Sequence, residues 1–191
     1  MQLSDRFTQA LTYATQLHAQ QERKGSGIPY VAHLLGVTSL ALEYGADEDE
    51  AIAALLHDAI EDQGGLETRD EIRRRFGEIV TQIVEGCTDA HTIPKPPWRE
   101  RKQAYIKHLK TASDSVRLVS TADKLYNASS ILKDYRQVGE TLWDRFTGGK
   151  AGTLWYYRSI VDTLQTIDSS PIVAELDRVV SEIERLTKDS C

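Results

Sequence analysis

Apolar residues recur every three or four positions along almost the whole chain, the period of helices packed on a core. Phe7, Leu11, Ala14 and Leu17 mark a first helix ending near the loop RKGSGIP. Pro29 suits the first turn of a second helix, which runs to Tyr44 and is stopped by Gly45. Asp47 with Glu50 forms a D-x-x-E capping pattern for a third, which carries the apolar run AIAALL on through HDAIED. TRDEIRRRFG and EIVTQIVEG predict two short helices around Gly77, and TDAHTIPKPPWRE, rich in proline, predicts the longest loop. ERKQAYIKHLK then reads as a helix, and Ser113 or Asp114 caps a long one through VRLVSTADKLYNASSILKDY. A glycine-containing stretch over 139–152, with FTGGKAGT, interrupts the pattern before two closing helices, LWYYRSIVDTLQTI and PIVAELDRVVSEIERL. No run of alternating β-branched residues, internal repeat, low-complexity tract or Gly/Ser linker is present. The expectation is an all-α fold, one domain over 1–191, built as a bundle of about eight to ten helices.

Composition narrows the function more than the fold. The 191 residues carry 40% hydrophobic and 27% charged side chains, ordinary for a water-soluble domain with a sizeable core. A net charge of −6 argues against a nucleic-acid polymer as partner, which needs a basic surface, yet leaves room for a small anion held by a few local cations. Cys87 and Cys191 are too far apart for a zinc spacing and make no disulfide framework. No apolar run reaches the ~18 residues that span a bilayer, and MQLSDRFTQA has no signal-peptide core. A cytoplasmic protein with no membrane partner is expected, as monomer or homodimer.

The costliest stretch is HDAIED. His57, Asp58, Glu61 and Asp62 put four ionisable groups into six positions directly after an apolar run. Residues one turn apart share a helix face, so His57 stacks over Glu61 and Asp58 over Asp62. Carboxylates just before Gly64-Gly65 also oppose the negative end of a helix dipole. A divalent cation is the simplest partner for such a cluster. Adjacent helical residues point about 100° apart, so His57 and Asp58 can share one ion only near a bend or from a concave wall. Further ligands must come from other helices, and His33 and Asp123 are candidates because each stands among apolar neighbours. Taken singly, His33 also fits a satisfied core histidine and Asp123 a local hydrogen-bonding residue. His18 reads as structural, and His91 and His108 as loop and surface residues.

The order H…HD…D on three helices, with ED one turn after HD, resembles the HD-domain metal-dependent phosphohydrolases. QERKGSGIPYVAH, AALLHDAIEDQ and STADKLYN are similar to the hydrolase domain of the RelA/SpoT family and its stand-alone small alarmone hydrolases of the Mesh1 type. The motif core runs from about 18 to 157 and the closing helices from about 153 to 188. One departure stands out. The family pattern RKSGxPYxxH is here RKGSGIPYVAH, one residue longer between Arg23 and His33, which puts the base-contacting loop and the purine preference in question.

The resemblance implies His33, His57, Asp58 and Asp123 as ligands of one ion, usually Mn²⁺, and mixed imidazole and carboxylate donors suit manganese, zinc, iron or cobalt. It implies Glu61 and Asp62 as the catalytic pair, Glu61 orienting or deprotonating the attacking water. The reaction expected is release of pyrophosphate from the 3′ position of a guanosine 3′,5′-polyphosphate. Arg23 and Lys24 are then expected against the purine and nearby phosphate, Lys150 with Tyr156 or Tyr157 at the remote phosphate, and Asn127 at the ribose or base. Lys102 is a further candidate, with Lys95, Arg99 and Arg101 around the proline loop. Adenosine polyphosphates, NADPH as a 2′-phosphatase substrate, deoxynucleotide monophosphates, and a catalytically silent nucleotide- or protein-binding module are the alternatives. Retention of all six motif residues counts against the silent module.

Overall fold

The computed structural model describes residues 2–89 and 96–188, so His91, Lys95 and Cys191 lie outside the described residues. The described helices are α1 (Asp5–Leu17), α2 (Val31–Glu43), α3 (Glu48–Leu56), α4 (Ala59–Asp62), α5 (Leu66–Phe76) and α6 (Glu78–Cys87). They continue with α7 (Trp98–Leu109), α8 (Asp114–Val138), a 3-10 helix (Gly139–Arg145), α9 (Gly149–Gln165) and α10 (Pro171–Lys188). The fold is all-α, as expected; among the described residues the β-pairing is limited to an isolated bridge between Glu22 and Pro29. None of these helices is long and apolar enough to cross a membrane. The helices group into two compact units: the described residues through Pro96 with Ala112–Ala122, and Pro97–Thr111 with the described residues from Asp123 onward. Neither unit is a single stretch of sequence.

In the first unit α3 is central, and α1, α2 and α6 pack around it. Its residues Ala51 to Leu56 are all fully buried, which is why AIAALL carries no polar face. The capping box predicted for it is present: the Asp47 carboxylate accepts from the Glu50 N–H at 2.9 Å, and Glu50 accepts from the Asp47 N–H at 2.8 Å. The helix does not run on through HDAIED, however. It ends at Leu56, with His57 as its C-cap and Asp58 opening the four-residue α4.

Helix α6 meets the start of α8 through a glycine. A Cβ on Gly86 would stand 2.5 Å from one Val116 methyl carbon and 3.0 Å from the other. Val116 is buried and its β-branched side chain is stiff, so it cannot swing aside. Gly86→Ala is therefore expected to destabilise the protein by about 1–3 kcal/mol, the usual cost of overpacking, read as a lower urea midpoint at unchanged slope.

In the second unit α10 buries Ile172, Leu176, Val179 and Ile183 on one stripe, and it packs against α9. Arg158 of α9 ties the pair together, donating to Asp177 at 2.7 Å and to Glu184 at 2.8 Å. Helix α9 begins at Gly149, inside the stretch expected to interrupt the helices. Gly148 and Gly152 leave room there for the Trp98 indole, whose carbons would lie 2.7 Å and 3.2 Å from their Cβ positions. The glycines serve that close approach rather than a loop.

Candidate metal centre

The break between α3 and α4 is what lets two neighbouring residues face one point. His57 Nε2 and Asp58 Oδ2 stand 3.0 Å apart there. His33, in the first turn of α2, brings its Nε2 to 3.2 Å from His57 Nε2 and 3.4 Å from Asp58 Oδ2. Both imidazoles are almost fully buried, while the Asp58 side chain keeps 24% exposure, which leaves one side open.

The tautomer of His57 follows from its other nitrogen. Nδ1 lies 2.8 Å from the Ala54 carbonyl oxygen, which can only accept, so Nδ1 carries the proton and Nε2 presents a lone pair to the cluster. Two buried imidazole nitrogens and a carboxylate oxygen thus converge, a donor set that could hold a metal ion. The spacing fits: ligand atoms about 2.1 Å from one first-row ion stand about 3.0–3.4 Å from each other. A cation placed there would meet the His57 lone pair and the Asp58 carboxylate, with the His33 nitrogen beside them.

Glu61 and Asp62 follow on α4. Glu61 is half-buried, and its Oε2 accepts from the Asp89 N–H at 3.4 Å. Asp62 is more exposed and accepts from the Gln21 side-chain amide at 2.8 Å. Tyr30 donates its hydroxyl to Asp58 Oδ2 at 2.6 Å. Its ring stacks on His18, with centroids 5.2 Å apart and planes 17° apart. His18 is 2% exposed, and burial pushes its pKa below the ordinary histidine value, so the ring is held neutral. Its Nδ1 lies 2.6 Å from Gln21 Oε1, which also accepts from the Gln63 amide at 2.5 Å. The structural role expected for His18 is thus specific. Gln21, Gln63 and Tyr30 were not singled out as site residues, because uncharged side chains in a polar loop carry no sequence signal of their partners.

Arg23 and Lys24 sit on the loop between α1 and α2, with Arg23 half-buried and Lys24 exposed. The loop closes through backbone bonds, Tyr30 N–H to Gln21 O at 2.9 Å and Arg23 N–H to Ile28 O at 2.8 Å. Within it the chain makes a tight turn where Gly25 and Gly27 adopt φ of 73° and 66°, left-handed conformations that glycine tolerates.

The remaining expected site residues lie in the second unit. Asp123, on α8, is 7% exposed; Lys124 pairs with its Oδ2, and Asn127 donates to its Oδ1 at 2.5 Å. Burial opposes the Lys124 charge, but the adjacent Asp123 carboxylate more than offsets it and holds the ammonium's pKa well above the ordinary value. Lys150 donates to Glu140 at 2.9 Å and to the Thr187 carbonyl at 3.1 Å, partners it would have to leave to reach a phosphate. Tyr156 is only 6% exposed, with Trp98 against its ring edge and the Lys102 ammonium 4.9 Å from its centroid. Arg99 lies over Trp155 at 3.2 Å. The structure gathers His33, His57 and Asp58 in one cluster, with Glu61 and Asp62 following on the next helix.

Comparison with known proteins points the same way. A family model described as an HD domain matches residues 10–154. The guanosine-3′,5′-bis(diphosphate) 3′-pyrophosphohydrolase MESH1 of Xenopus tropicalis is 39% identical over 138 residues, covering 71% of this chain and 72% of that protein. The guanosine-3′,5′-bis(diphosphate) 3′-pyrophosphohydrolase of Aquifex aeolicus is 38% identical over 132 residues, 68% of this chain but 18% of that longer protein. A solved structure described as a metazoan ortholog of SpoT that hydrolyses ppGpp superposes with a TM-score of 0.79 at 28% identity, covering 95% of this chain and 97% of that one.

Proposed function

This chain belongs to the HD-domain family, and from that premise we propose that it hydrolyses the 3′-pyrophosphate of a guanosine 3′,5′-polyphosphate, releasing pyrophosphate. The observation that carries the reading is the convergence of His33 Nε2, His57 Nε2 and Asp58 Oδ2 within 3.4 Å of one another, in a chain so similar to MESH1. Those three residues would hold a divalent ion, with Mn²⁺ our choice among metals that accept mixed nitrogen and oxygen donors. The sequence resemblance adds Asp123 to the ligand set. A bound ion supplies Lewis acidity, lowering the pKa of water and polarising a phosphoryl oxygen.

The chain's own residues do the rest. Glu61, one turn beyond the ligand pair, orients the attacking water and takes its proton. Asp62, more exposed, manages protons at the rim. The guanidinium of Arg23 offers a flat face to a purine, and Lys24 a compact charge to a phosphate. Asn127, Lys102, Lys150 and Tyr156 are our further candidates for substrate contacts, and Lys150 would have to leave its bonds to Glu140 and Thr187 to serve as one. We propose that residues 1–191 act as one hydrolase domain, as monomer or homodimer in the cytoplasm.

The test incubates Mn²⁺-loaded protein with matched guanosine and adenosine 3′-pyrophosphates and with NADPH, and separates the products by chromatography. Pyrophosphate from the guanosine substrate is expected. The adenosine arm is included because RKGSGIPYVAH is one residue longer than the family pattern beside Arg23. Orthophosphate as the sole product would overturn the reaction, and no product from any substrate would return the chain to a silent binding module.

A further inference from the structure

The loop that carries Arg23 and Lys24 stands on two feet, Gln21 and Tyr30, joined by the Tyr30 N–H to Gln21 O bond of 2.9 Å. Each foot donates one side-chain hydrogen bond to a different carboxylate of the site. Tyr30 reaches Asp58 Oδ2 at 2.6 Å, the same oxygen that faces both imidazoles. Gln21 reaches Asp62 Oδ2 at 2.8 Å. His18 connects the feet, stacking on the Tyr30 ring and contacting Gln21 Oε1 through Nδ1 at 2.6 Å.

We propose that Tyr30 and Gln21, joined through His18, are positioning residues: Tyr30 fixes the rotamer in which Asp58 faces the ion, and Gln21 fixes Asp62 beside the reacting water. The proposal rests on the metal-dependent reading above. Asp58 needs such a partner because it stands at a helix break and is partly open to solvent, where a carboxylate has several rotamers to choose from. A hydroxyl donor from a wedged ring removes that freedom before the ion arrives, and donors to a ligating carboxylate are a general means of strengthening a metal site. The Tyr30 ring is wedged on two sides, by His18 face to face and by His33 edge-on with centroids 5.3 Å apart. The Gln21 amide is oriented without ambiguity. The Asp62 carboxylate accepts, so the Gln21 NH₂ faces it and the Gln21 oxygen faces Gln63 and His18 Nδ1. A loop that meets substrate and two carboxylates that work on it thus share one support.

The two arms predict different defects. Tyr30→Phe keeps the ring and removes the hydroxyl, so Mn²⁺ affinity, titrated calorimetrically without substrate, is expected to fall about 10- to 100-fold. The Tm of the metal-free protein should be unchanged, and kcat should recover at saturating Mn²⁺. Gln21→Met keeps the volume and removes the amide; it should bind Mn²⁺ as wild type does, with kcat lowered and KM little changed. Wild-type Mn²⁺ affinity in Tyr30→Phe would overturn the proposal, as would losses in both variants that only track a lowered Tm. The metal titration needs no nucleotide, so it decides the Tyr30 arm even if the wild-type protein fails to cleave guanosine polyphosphates and the functional reading falls.

Discussion

Asp58→Asn protein is expected to bind Mn²⁺ more than about 100-fold more weakly than wild type and to show no turnover at micromolar metal, a larger effect than removal of a group that merely supports a ligand. The substitution is nearly isosteric. The amide can still accept the Tyr30 hydroxyl bond, and the partly open position adds little packing cost. What it removes is the negative charge that would neutralise a dication beside two imidazoles. Metal-free Asp58→Asn should therefore melt like metal-free wild type, and the stabilisation that Mn²⁺ gives wild-type protein should vanish, since a ligand stabilises only the state it binds. Differential scanning fluorimetry with and without Mn²⁺ makes both comparisons. An unchanged metal-induced rise in Tm would remove Asp58 from the ligand set.

Glu61→Gln separates chemistry from metal binding. Glu61 lies on α4, beyond the ligand pair, and its carboxylate accepts a bond from the Asp89 N–H that a glutamine oxygen can also accept. The variant should fold, bind Mn²⁺ with wild-type affinity and hold substrate with little change in KM. Its kcat should fall by roughly 10²–10⁴, the usual contribution of a positioned general base. Single-turnover rates at saturating Mn²⁺ give the cleanest measure, because they exclude product release. Full activity would show that another group handles the water.

Much of this is legible in the chain. The Asp47–Glu50 capping box, the all-buried AIAALL and the stripe of α10 follow from local pattern, because each element's chemistry lies within its own residues. His33, His57 and Asp58 are legible for a different reason: ionisable groups beside apolar runs are costly, so they stand out. The end of α3 at Leu56 has no local breaker, since LLHDAIED contains neither proline nor glycine. A bend there is one of the two arrangements that the sharing of one ion by His57 and Asp58 allows. Tyr30 and Gln21 are hidden, because a hydrogen bond between residues 28 or 41 positions apart leaves no periodic trace. The glycines at 148 and 152 suggest a loop until the Trp98 indole that occupies their space is known.

The interleaving of the two units has a consequence for how the chain is made. When the ribosome has released everything through Pro96, the first unit still lacks Ala112–Ala122, the segment whose Val116 covers Gly86. The contact at Gly86 on α6 must wait while α7 emerges in between. Loop-closure entropy makes such a delayed, non-local contact slow to form. The nascent protein is thus exposed to misassociation at this place while α7 is being synthesised, before Val116 can reach Gly86.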